Sequence, residues 1–307
     1  MDRQPVFLLV NPIAGKGRTR RLFPRIQRAL SDRGIRFEYR WTTGPGEATE
    51  LARDAVGGGF ERIVAVGGDG TIHEVVNGIL EREKEKEKER ETALGVIPTG
   101  SGNDFVKSAG IPTDPFRALA LVESGIVTRI DVGRIGNRYF ANGLGIGLDG
   151  AVAAQMRNMR LLRGEIAYLY ATVRQVLTFK NFPIKIETPE WSYQGRSLLL
   201  GLSNGRYHGG DFKLCPQAAS DDGLLDLYVF EDLPVIQRLC QIPKVRVGEH
   251  MTLEVFHLHK TPKARISSPK PLIAHMDGEP MRLSGEAFEV EAVPEAIRVI
   301  TERSRSS

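Results

Sequence analysis

Cysteine is nearly absent from this chain of 307 residues, which contains only Cys215 and Cys240. Two cysteines are too few for a disulfide framework or a zinc site, so we expect small buried side chains in a protein of the reducing cytoplasm. Long apolar runs are also missing: no window approaches the ~20 residues of a membrane span. The stretch "VFLLV" is too short for a signal-peptide core. We therefore expect a protein that does not cross a membrane.

The charge balance is small but basic. The formal net charge is +4 and the sequence pI is about 9.1. This balance suits an anionic partner such as a nucleotide, a phospholipid surface or nucleic acid, and it does not choose among them. The length favours two domains at roughly 100–200 residues per domain, and two domains usually form a cleft.

Strand-like and helix-like segments alternate over residues 1–130. The runs "VFLLV", "RFEYRWTT" and "RIVAV" predict strands, and the first intervening segment places Leu22, Ile26 and Leu30 at helical spacing. Gly34 stands where that helix should stop. This alternation predicts an α/β domain with a mainly parallel sheet, in which ligands bind at the carboxyl ends of the strands.

Residues 131–294 have a different pattern, with short strand-like runs separated by turn residues. They predict a mainly antiparallel β domain, interrupted by the helical stretch "AVAAQMRNMRLLRGEIAYLYATVRQVLT". A last strand at about 295–303 could return to the first domain. The segment Glu81–Glu91, "EREKEKEKERE", predicts a solvated helix extension or loop, and we assign it no chemistry.

Three glycine-rich breaks follow strand-like runs: "LLVNPIAGKGR", "VGGDGTIHEVVNG" and "GVIPTGSGNDF". Glycines at the end of a buried strand let the backbone approach a ligand, and the amides that open the next helix attract phosphate. Asp69 is then either a capping side chain or an acid that acts through a cation or a proton. No Walker loop is present, so an ATP site here is built in another way.

Polar and charged side chains accompany the three loops. Some supply hydrogen bonds and others supply positive charge for phosphates. They are Asn11, Lys16, Arg18, Thr42, Ser101, Asn103, Asp104 and Lys107. Together the loops predict one nucleotide site at one edge of the sheet.

Six motifs occur in a specific order: "VNPIAGKGR", "VGGDGTIHEVVNG", "IPTGSGNDF", "FANGLGIGLDG", "CPQAASDDGLLDL" and "HMDGEP". Their order and spacing resemble the bacterial diacylglycerol kinase-like lipid kinases, relatives of sphingosine and ceramide kinases. "GGDGT" alone also occurs in NAD kinases and, in variant form, in phosphofructokinases. The resemblance covers nearly the whole chain. It implies an ATP-binding domain of phosphofructokinase-like topology, a β-sandwich-like lipid domain and a catalytic cleft between them.

The resemblance also implies roles for particular residues. The nucleotide would be held by Gly67, Gly68, Asp69, Gly70 and Thr71, together with Thr42 and Ser101; many relatives have threonine at the last position. The bound Mg²⁺ would have the Asp222 side chain and the backbone carbonyls of Ala219 and Leu224 as ligands. The charged residues that the resemblance implies near the phosphates match Asp104, Lys107 and Asp131. A lysine that some relatives place in the second domain would be replaced by Arg160 or Arg163.

The implied catalytic base is Glu279 of "DGEP". A lipid hydroxyl is a poor nucleophile, so a carboxylate that accepts its proton raises the rate by about 10²–10⁴-fold. The alternative is that "MDGE" is a hairpin turn with solvated acids, since Asp-Gly is a strong hairpin signal. Asp69 is the rival base.

Two further patterns are discounted. "GIGLDG", Gly145 to Gly150, formally fits a dinucleotide-binding fingerprint, but its neighbours belong to the β domain and no suitable acid follows. His257 and His259 alternate along a strand, yet no third metal ligand is nearby, so we expect surface histidines.

The sequence thus predicts an ATP- and Mg²⁺-dependent lipid kinase that converts diacylglycerol to phosphatidic acid in phospholipid metabolism. We expect a cytoplasmic enzyme, peripheral at the inner membrane surface, with no nucleic-acid partner. Basic residues would attract anionic headgroups; they are Lys260, Lys263, Arg265, Lys270, Arg303 and Arg305. An NAD kinase and a nucleotide-responsive regulatory protein without turnover are the alternatives. The lipid alcohol, the acyl length and the oligomeric state, a homodimer included, stay open.

Overall fold

The computed structural model describes residues 4–86, 92–159 and 164–302, which fall into two compact units. Unit 1 comprises residues 4–130 and 295–302, and unit 2 is Asp131–Pro294. The elements of unit 1 alternate along the chain as β1 (Val6–Val10), α1 (Ala14–Asp32), β2 (Phe37–Trp41), α2 (Glu47–Gly57), β3 (Arg62–Gly67), α3 (Asp69–Lys86), β4 (Ala93–Pro98), α4 (Asp104–Ser108) and α5 (Pro115–Ser124).

The sheet of unit 1 is parallel and has the order β2-β1-β3-β4. The last strand of the chain adds its final residues beside β4, where Arg298 pairs with Ala93 and Val299 with Leu94. Every residue of β1 and β4 is buried, as expected for strands that are covered on both faces. The predicted α/β domain with a mainly parallel sheet is confirmed.

Helix α1 shows how the sequence pattern becomes a packed element. Phe23, Ile26 and Leu30 are almost fully buried in the core beside β1. The helix ends at Asp32, and Gly34 follows with a φ of +68°, a left-handed conformation that glycine adopts without strain. The residues 15–17 at its start have positive φ values and form an irregular turn before the regular helix. The glycine-rich loop therefore extends into the first residues of α1.

The charged segment at 81–91 lies partly within α3, which is described as far as Lys86. Glu81 lies 3.9 Å from Arg53, and Glu83 is buried and accepts a hydrogen bond from the Thr92 amide at 3.1 Å. The helix extension is therefore present, although Glu83 is not solvated as predicted. Residues 87–91 are outside the described residues.

Unit 2 is built mainly from strands. Its elements, with two strands that cross the division between the units, are β5 (Ile126–Ile135), β6 (Arg138–Phe140), β7 (Gly143–Gly147), α6 (Leu148–Asn158), α7 (Gly164–Thr178), β8 (Phe182–Glu187), β9 (Ser192–Ser203), β10 (Leu225–Glu231), α8 (Val235–Val247), a 3₁₀ helix (Glu249–Thr252), β11 (Phe256–Thr261), β12 (Lys263–Ser267), β13 (Leu272–Met276), β14 (Glu279–Leu283) and β15 (Ala287–Thr301).

The strands of unit 2 pair antiparallel in the order β14-β13-β7-β9-β8-β12-β15, and β10 lies between β9 and β11. Leu144, Ile146, Leu200 and Leu202 are fully buried at its centre. The predicted antiparallel β domain is confirmed. The helical interruption appears as α6 and α7, and Arg160 and Arg163 lie outside the described residues.

Candidate active site

Three glycine-rich loops of unit 1 meet beyond the carboxyl ends of β1, β3 and β4. The first and second loops are joined because Asn11 Nδ2 donates to Thr71 Oγ1 over 3.0 Å. The Thr19 and Thr99 hydroxyls, which lie 2.6 Å apart, connect α1 to the third loop. The amide of Thr99 also donates to the Gly67 carbonyl at 2.8 Å. The three segments therefore form one connected structure, which we call the loop cradle.

The glycines of the loop cradle allow backbone to touch backbone. A Cβ atom added to Gly100 would lie 2.5 Å from the Gly68 Cα, and one added to Gly15 would lie 2.1 Å from the Thr99 carbonyl oxygen. Gly15 also has a φ of +55°, which disfavours any side chain. The glycines at these positions are thus required by contacts between the loops themselves.

Asp69 holds the third loop in place. The Asn103 amide donates to its Oδ2 at 2.8 Å, and the Phe105 amide donates to its Oδ1 at 3.2 Å. Asn103 has a φ of +56°, a conformation that asparagine tolerates better than most side chains. Both carboxylate oxygens of Asp69 are therefore engaged by the loop that opens α4. The capping alternative placed Asp69 at the turn into its own helix, whereas these hydrogen bonds reach the start of another helix.

The other residues expected at the nucleotide lie on or beside the same loops. Thr42 follows β2, is buried, and its amide donates to the Val10 carbonyl at 2.9 Å. Lys16 and Ser101 are exposed. Asp104 and Lys107, at the first and fourth positions of α4, are half-buried.

Glu74 has a role that the sequence did not reveal. Its carboxylate accepts hydrogen bonds from the amides of Gly46 and Ala48 at 2.9 and 3.1 Å, and so caps α2 from the neighbouring helix α3. The only signal was an acid inside "GTIHEVVNG". It fixes the segment that follows Thr42.

In unit 2, Glu279 follows a two-residue hairpin turn. Asp277 and Gly278 have φ values of +49° and +87°, and Met276 pairs with Glu279 across the turn, as in a type I′ hairpin. Glu279 is half-buried, and among the described residues its carboxylate has no hydrogen-bond or ion-pair partner. The predicted hairpin is present, and Glu279 is the first residue of β14, the strand that follows the turn.

The acid of this turn is an anchor rather than a solvated charge. Asp277 Oδ2 accepts from the Ala141 amide at 3.0 Å, and its Oδ1 accepts from the amides of Asn142 and Gly143 at 2.8 and 3.0 Å. Three hydrogen bonds thus tie the hairpin to the start of β7. The Asp-Gly signal in the sequence revealed the turn but not this anchor.

The predicted metal ligands lie in the loop before β10. Asp222 Oδ1 accepts from the Leu224 amide at 3.1 Å, and its Oδ2 contacts the Lys260 ammonium. Asp131, on β5, accepts from the Gly223 amide at 2.7 Å. Asp226 is buried; burial raises its pKa to about 6, and its Oδ1 has no hydrogen-bond partner among the described residues. This region therefore offers several carboxylate oxygens to a metal ion, and Asp222 already contacts one cationic group, the Lys260 ammonium.

The structure shows where the two discounted patterns, the glycine-rich fingerprint and the histidine pair, lie in unit 2. Gly145 to Gly150 spans the end of β7 and the start of α6 within the antiparallel sheet. His257 Nε2 lies 2.8 Å from Glu231 Oε1, and His259 stacks on Trp191 with ring centroids 4.1 Å apart. Among the residues that the structure describes, no three histidine, cysteine, aspartate or glutamate side chains converge as a metal site. A metal here would need backbone carbonyls.

Comparison with known proteins identifies the family. Residues 5–135 match the diacylglycerol kinase catalytic domain, and residues 143–301 match the YegS C-terminal NAD kinase beta sandwich-like domain. A Stenotrophomonas maltophilia protein named "Probable lipid kinase YegS-like" is 33% identical over 275 residues, 87% of each chain. A protein of the same name from Klebsiella pneumoniae is 31% identical, with 97% of this chain and 96% of that protein covered.

Solved structures agree with this assignment. A Bacillus anthracis str. Sterne structure has a TM-score of 0.79 and 25% identity, with 98% of both chains covered. A diacylglycerol kinase of the same organism, at 23% identity and a TM-score of 0.74, shares the fold. Within the described residues, no helix has the length and apolar content needed to span a bilayer. Kinases of this family use ATP, and the chain belongs to the YegS and diacylglycerol kinase family of lipid kinases.

Proposed function

We propose that this lipid kinase transfers the γ-phosphoryl group of ATP to the hydroxyl of diacylglycerol and releases phosphatidic acid. The observation that carries the proposal is the combination of a nucleotide-type loop cradle in unit 1 with an apolar cavity in unit 2. An NAD kinase activity is disfavoured because the named relatives that match over most of the chain are lipid kinases. The same relatives disfavour a regulatory protein without turnover.

The loop cradle supports the nucleotide part. Its glycines bring the second and third loops into backbone contact at the carboxyl edge of a parallel sheet, where ligands bind in such folds. Helix α3 begins at Asp69 directly after β3, so its first amides face away from the strand end and carry partial positive charge. Lys16, exposed on the first loop, adds a cation for the phosphates.

The cavity of unit 2 supports the lipid part. It is enclosed by α6, α7, α8 and the sheet, and its lining is mostly apolar, including Leu148, Val152, Leu198, Phe230, Ile242 and Val245. An acyl chain gains about 0.8 kcal/mol for each CH₂ group that it buries in such a site. Phosphate groups have no comparable affinity for apolar walls. We therefore assign the cavity to an acyl chain of the lipid.

Buried Arg238 keeps the walls of this cavity together. Its guanidinium donates to the carbonyls of Leu233 and Phe179 at 2.7 and 3.0 Å and to Asn181 Oδ1 at 3.0 Å. These bonds tie the end of α7 to the start of α8. Because its donors are occupied, we assign Arg238 a structural role and not a lipid phosphate contact.

In the proposed reaction, Glu279 accepts the hydroxyl proton of the lipid. The acceptor oxygen bonds to the γ-phosphorus while the bond from that phosphorus to the β,γ-bridging oxygen breaks, and ADP leaves with the electron pair. The free carboxylate of Glu279 suits a base, whereas both oxygens of Asp69 already accept backbone amides. Asp69 is therefore assigned to the positioning of the loop cradle.

The decisive experiment incubates the pure protein with γ-labelled ATP and separate acceptors. The panel contains diacylglycerol, monoacylglycerol, ceramide, sphingosine, phosphatidylglycerol and NAD. Labelled phosphatidic acid, identified by mass spectrometry, is the expected product. Label in NAD alone would overturn the lipid assignment, and label in another lipid would keep the kinase but replace the substrate.

We further propose that Mg²⁺ is held by Asp222 with the backbone carbonyls of Ala219 and Leu224. The ligands fit, because Mg²⁺ prefers oxygen atoms and the strand β10 that follows the loop carries the buried Asp226 Oδ1, which has no hydrogen-bond partner among the described residues. Lys260, which contacts Asp222, shows that this carboxylate attracts a cation. Bound Mg²⁺ would neutralise phosphate charge during transfer.

Replacing Asp222 with alanine is expected to raise the Mg²⁺ concentration for half-maximal activity by about tenfold, the effect of about 1.4 kcal/mol in a binding equilibrium. High Mg²⁺ should then restore part of the activity. Asp221, an exposed acid beside it, provides the matched control Asp221→Ala, which should do less. A titration of activity against Mg²⁺ checks both variants. Equal losses that Mg²⁺ does not rescue would show that the "DDG" pair is structural.

We propose that the outer face of α7 docks the enzyme on the bilayer that holds its substrate. This face consists of Ile166, Leu169, Tyr170 and Leu177, which are 71%, 47%, 50% and 49% exposed. A surface helix normally turns polar residues to water, so an apolar outer face indicates a partner. The opposite side of α7 lines the apolar cavity through Thr172 and Val176. Exposed Arg174 and Lys180 suit anionic headgroups at the inner membrane surface.

The basic residues at 260–270 were the surface expected from the sequence. Lys263, Arg265 and Lys270 are exposed, whereas Lys260 is paired with Asp222. Arg303 and Arg305 lie outside the described residues. We therefore assign the larger share of docking to the apolar α7 face and a salt-dependent share to the exposed basic residues Lys263, Arg265 and Lys270.

Replacing Leu177 with aspartate is expected to lower activity on diacylglycerol in vesicles by about tenfold or more, because burying one such side chain contributes about 1.5–3 kcal/mol. Activity on short-chain diacylglycerol dispersed in detergent should stay near normal. Ile126→Asp, at a position 46% exposed in unit 1, is the matched control. Vesicle sedimentation in low and high salt separates the apolar share from the electrostatic one. Equal activity of both variants on vesicles would remove α7 from the docking surface.

A further inference from the structure

A buried pair of side chains lies behind the hairpin that carries Glu279. His275 and Asp149 are on β13 and α6, and His275 Nε2 lies 3.0 Å from Asp149 Oδ2. Both side chains are nearly buried, with 8% and 11% exposed. Burying a charged group without a partner is costly, so a buried acid beside an imidazole indicates a paired arrangement. Neither residue has a role in the reaction as derived above.

The other nitrogen of the imidazole reaches the turn. The Gly278 amide donates to His275 Nδ1 at 3.1 Å. Because Nδ1 accepts this hydrogen bond, the proton of the neutral ring is on Nε2, the atom beside Asp149. The ring is thus held from both sides, by the acid on one and by the backbone of the turn on the other.

The electrostatics of the pair agree with this geometry. Burial raises the pKa of Asp149, but His275, His208 and Tyr228 together outweigh this effect and the pKa of this carboxyl is lowered. Asp149 is therefore ionised near neutral pH. The fit is tight, since a Cβ atom added to Gly145 would lie 2.4 Å from both His275 Nε2 and Asp149 Oδ2. Little room is left for the ring to turn.

We propose that His275 is a positioning residue for Glu279, acting through the Gly278 amide and oriented by Asp149. The Gly278 N–H belongs to the peptide that joins Asp277 to Gly278, so His275 restrains the turn from which Glu279 extends as the next residue. Asp277 anchors the other half of the same turn through the amides of 141–143. The inference rests on the proposed function, because it takes Glu279 as the base.

Two substitutions separate the two contacts of His275, which are the hydrogen bond from the Gly278 amide and the 3.0 Å approach of Nε2 to Asp149 Oδ2. Asparagine places an amide oxygen near the Nδ1 position and can still accept from Gly278, whereas glutamine places its amide nitrogen near Nε2 and keeps only the side toward Asp149. We expect His275→Asn to stay within about threefold of the wild-type kcat. His275→Gln should lower kcat by up to about 10²-fold, the size expected for a base misplaced by about 1 Å. The KM for ATP should not change in either variant.

A matched control measures the cost of losing any buried histidine of unit 2. His208 is as buried as His275 and its Nε2 lies 2.6 Å from Ser203 Oγ. Among the described residues no hydrogen bond joins His208 to the turn, although the charges of Asp149 and Asp277 act on its ring. Burial lowers the pKa of His208 to about 4, so it is neutral in the folded protein. His208→Asn should lower the thermal midpoint while leaving kcat near normal. An equal loss of kcat in His208→Asn and His275→Gln would overturn the positioning role.

A double-mutant cycle tests the route through Glu279. In the Glu279→Gln background, His275→Gln should lower kcat little further, while its effect on thermal stability remains. Full additivity, with Glu279→Gln itself strongly impaired, overturns the positioning role and leaves the base intact. Normal turnover of Glu279→Gln overturns both the base and the positioning role. If His275→Gln cannot be purified, Asp149→Asn replaces it in the same cycle, because it removes the charge that orients the ring.

Discussion

Glu279→Gln should lower kcat for diacylglycerol phosphorylation by about 10²–10⁴-fold, the contribution typical of a positioned general base. Glutamine keeps the shape and the hydrogen-bonding capacity of the side chain but cannot take the proton of the lipid hydroxyl. The affinity for ATP should change little, because Glu279 is proposed to act on the lipid hydroxyl and glutamine keeps its shape. Steady-state kinetics with varied lipid, together with calorimetric ATP titration, measures both quantities.

The control for this variant is Glu286→Gln. Glu286 is an exposed acid in the turn after β14, so its substitution removes one charge from the same region without touching the proposed base. Its kcat should equal that of the wild type. If Glu279→Gln turned over at a near-normal rate, the base would have to be sought elsewhere, and Asp69→Asn would become the variant to examine.

The architecture of both units followed from local patterns. Continuous apolar runs such as β1 and β4 indicated strands covered on both faces, and the helical spacing of Ile26 and Leu30 located the buried side of α1. Such patterns depend on neighbours along the chain, so the sequence alone contains them. Residues 15–17 were harder, because three consecutive positive φ values depend on the contact between Gly15 and Thr99.

The candidate site was predictable where motifs are contiguous and not where distant segments meet. The three glycine-rich loops were visible as motifs, and their meeting follows from the parallel sheet. The hydrogen bonds that Asp69 accepts from amides 34 and 36 residues away could be identified only from the folded structure. The same is true of Asp277, whose three amide partners lie about 135 residues earlier in the chain. The spacing of residues along the sequence does not indicate hydrogen bonds between segments that are so far apart in the chain.

Gly100→Ala should raise the Kd for ATP by about 10–100-fold, since overpacking a tight contact costs about 1–3 kcal/mol. The added Cβ would lie 2.5 Å from the Gly68 Cα, and that neighbour is backbone, so the second and third loops must separate. The separation would displace the amides that are proposed to bind the phosphates. Gly68→Ala, whose Cβ would lie 3.1 Å from the Gly100 Cα, should show a smaller rise. Calorimetric titration of each variant with ATP gives the values.

Gly44→Ala is the matched control for these variants. A Cβ at Gly44 would have no heavy atom within 4 Å, and its φ lies outside the left-handed region, so neither packing nor backbone strain opposes alanine there. Its ATP affinity should equal that of the wild type. Circular dichroism must show that the Gly100→Ala variant is folded. A loss of ATP affinity can then be assigned to separated loops in a protein that keeps its sheet, and not to unfolding. Unchanged ATP affinity in both Gly100→Ala and Gly68→Ala would mean that the phosphates bind away from the contact between these two loops.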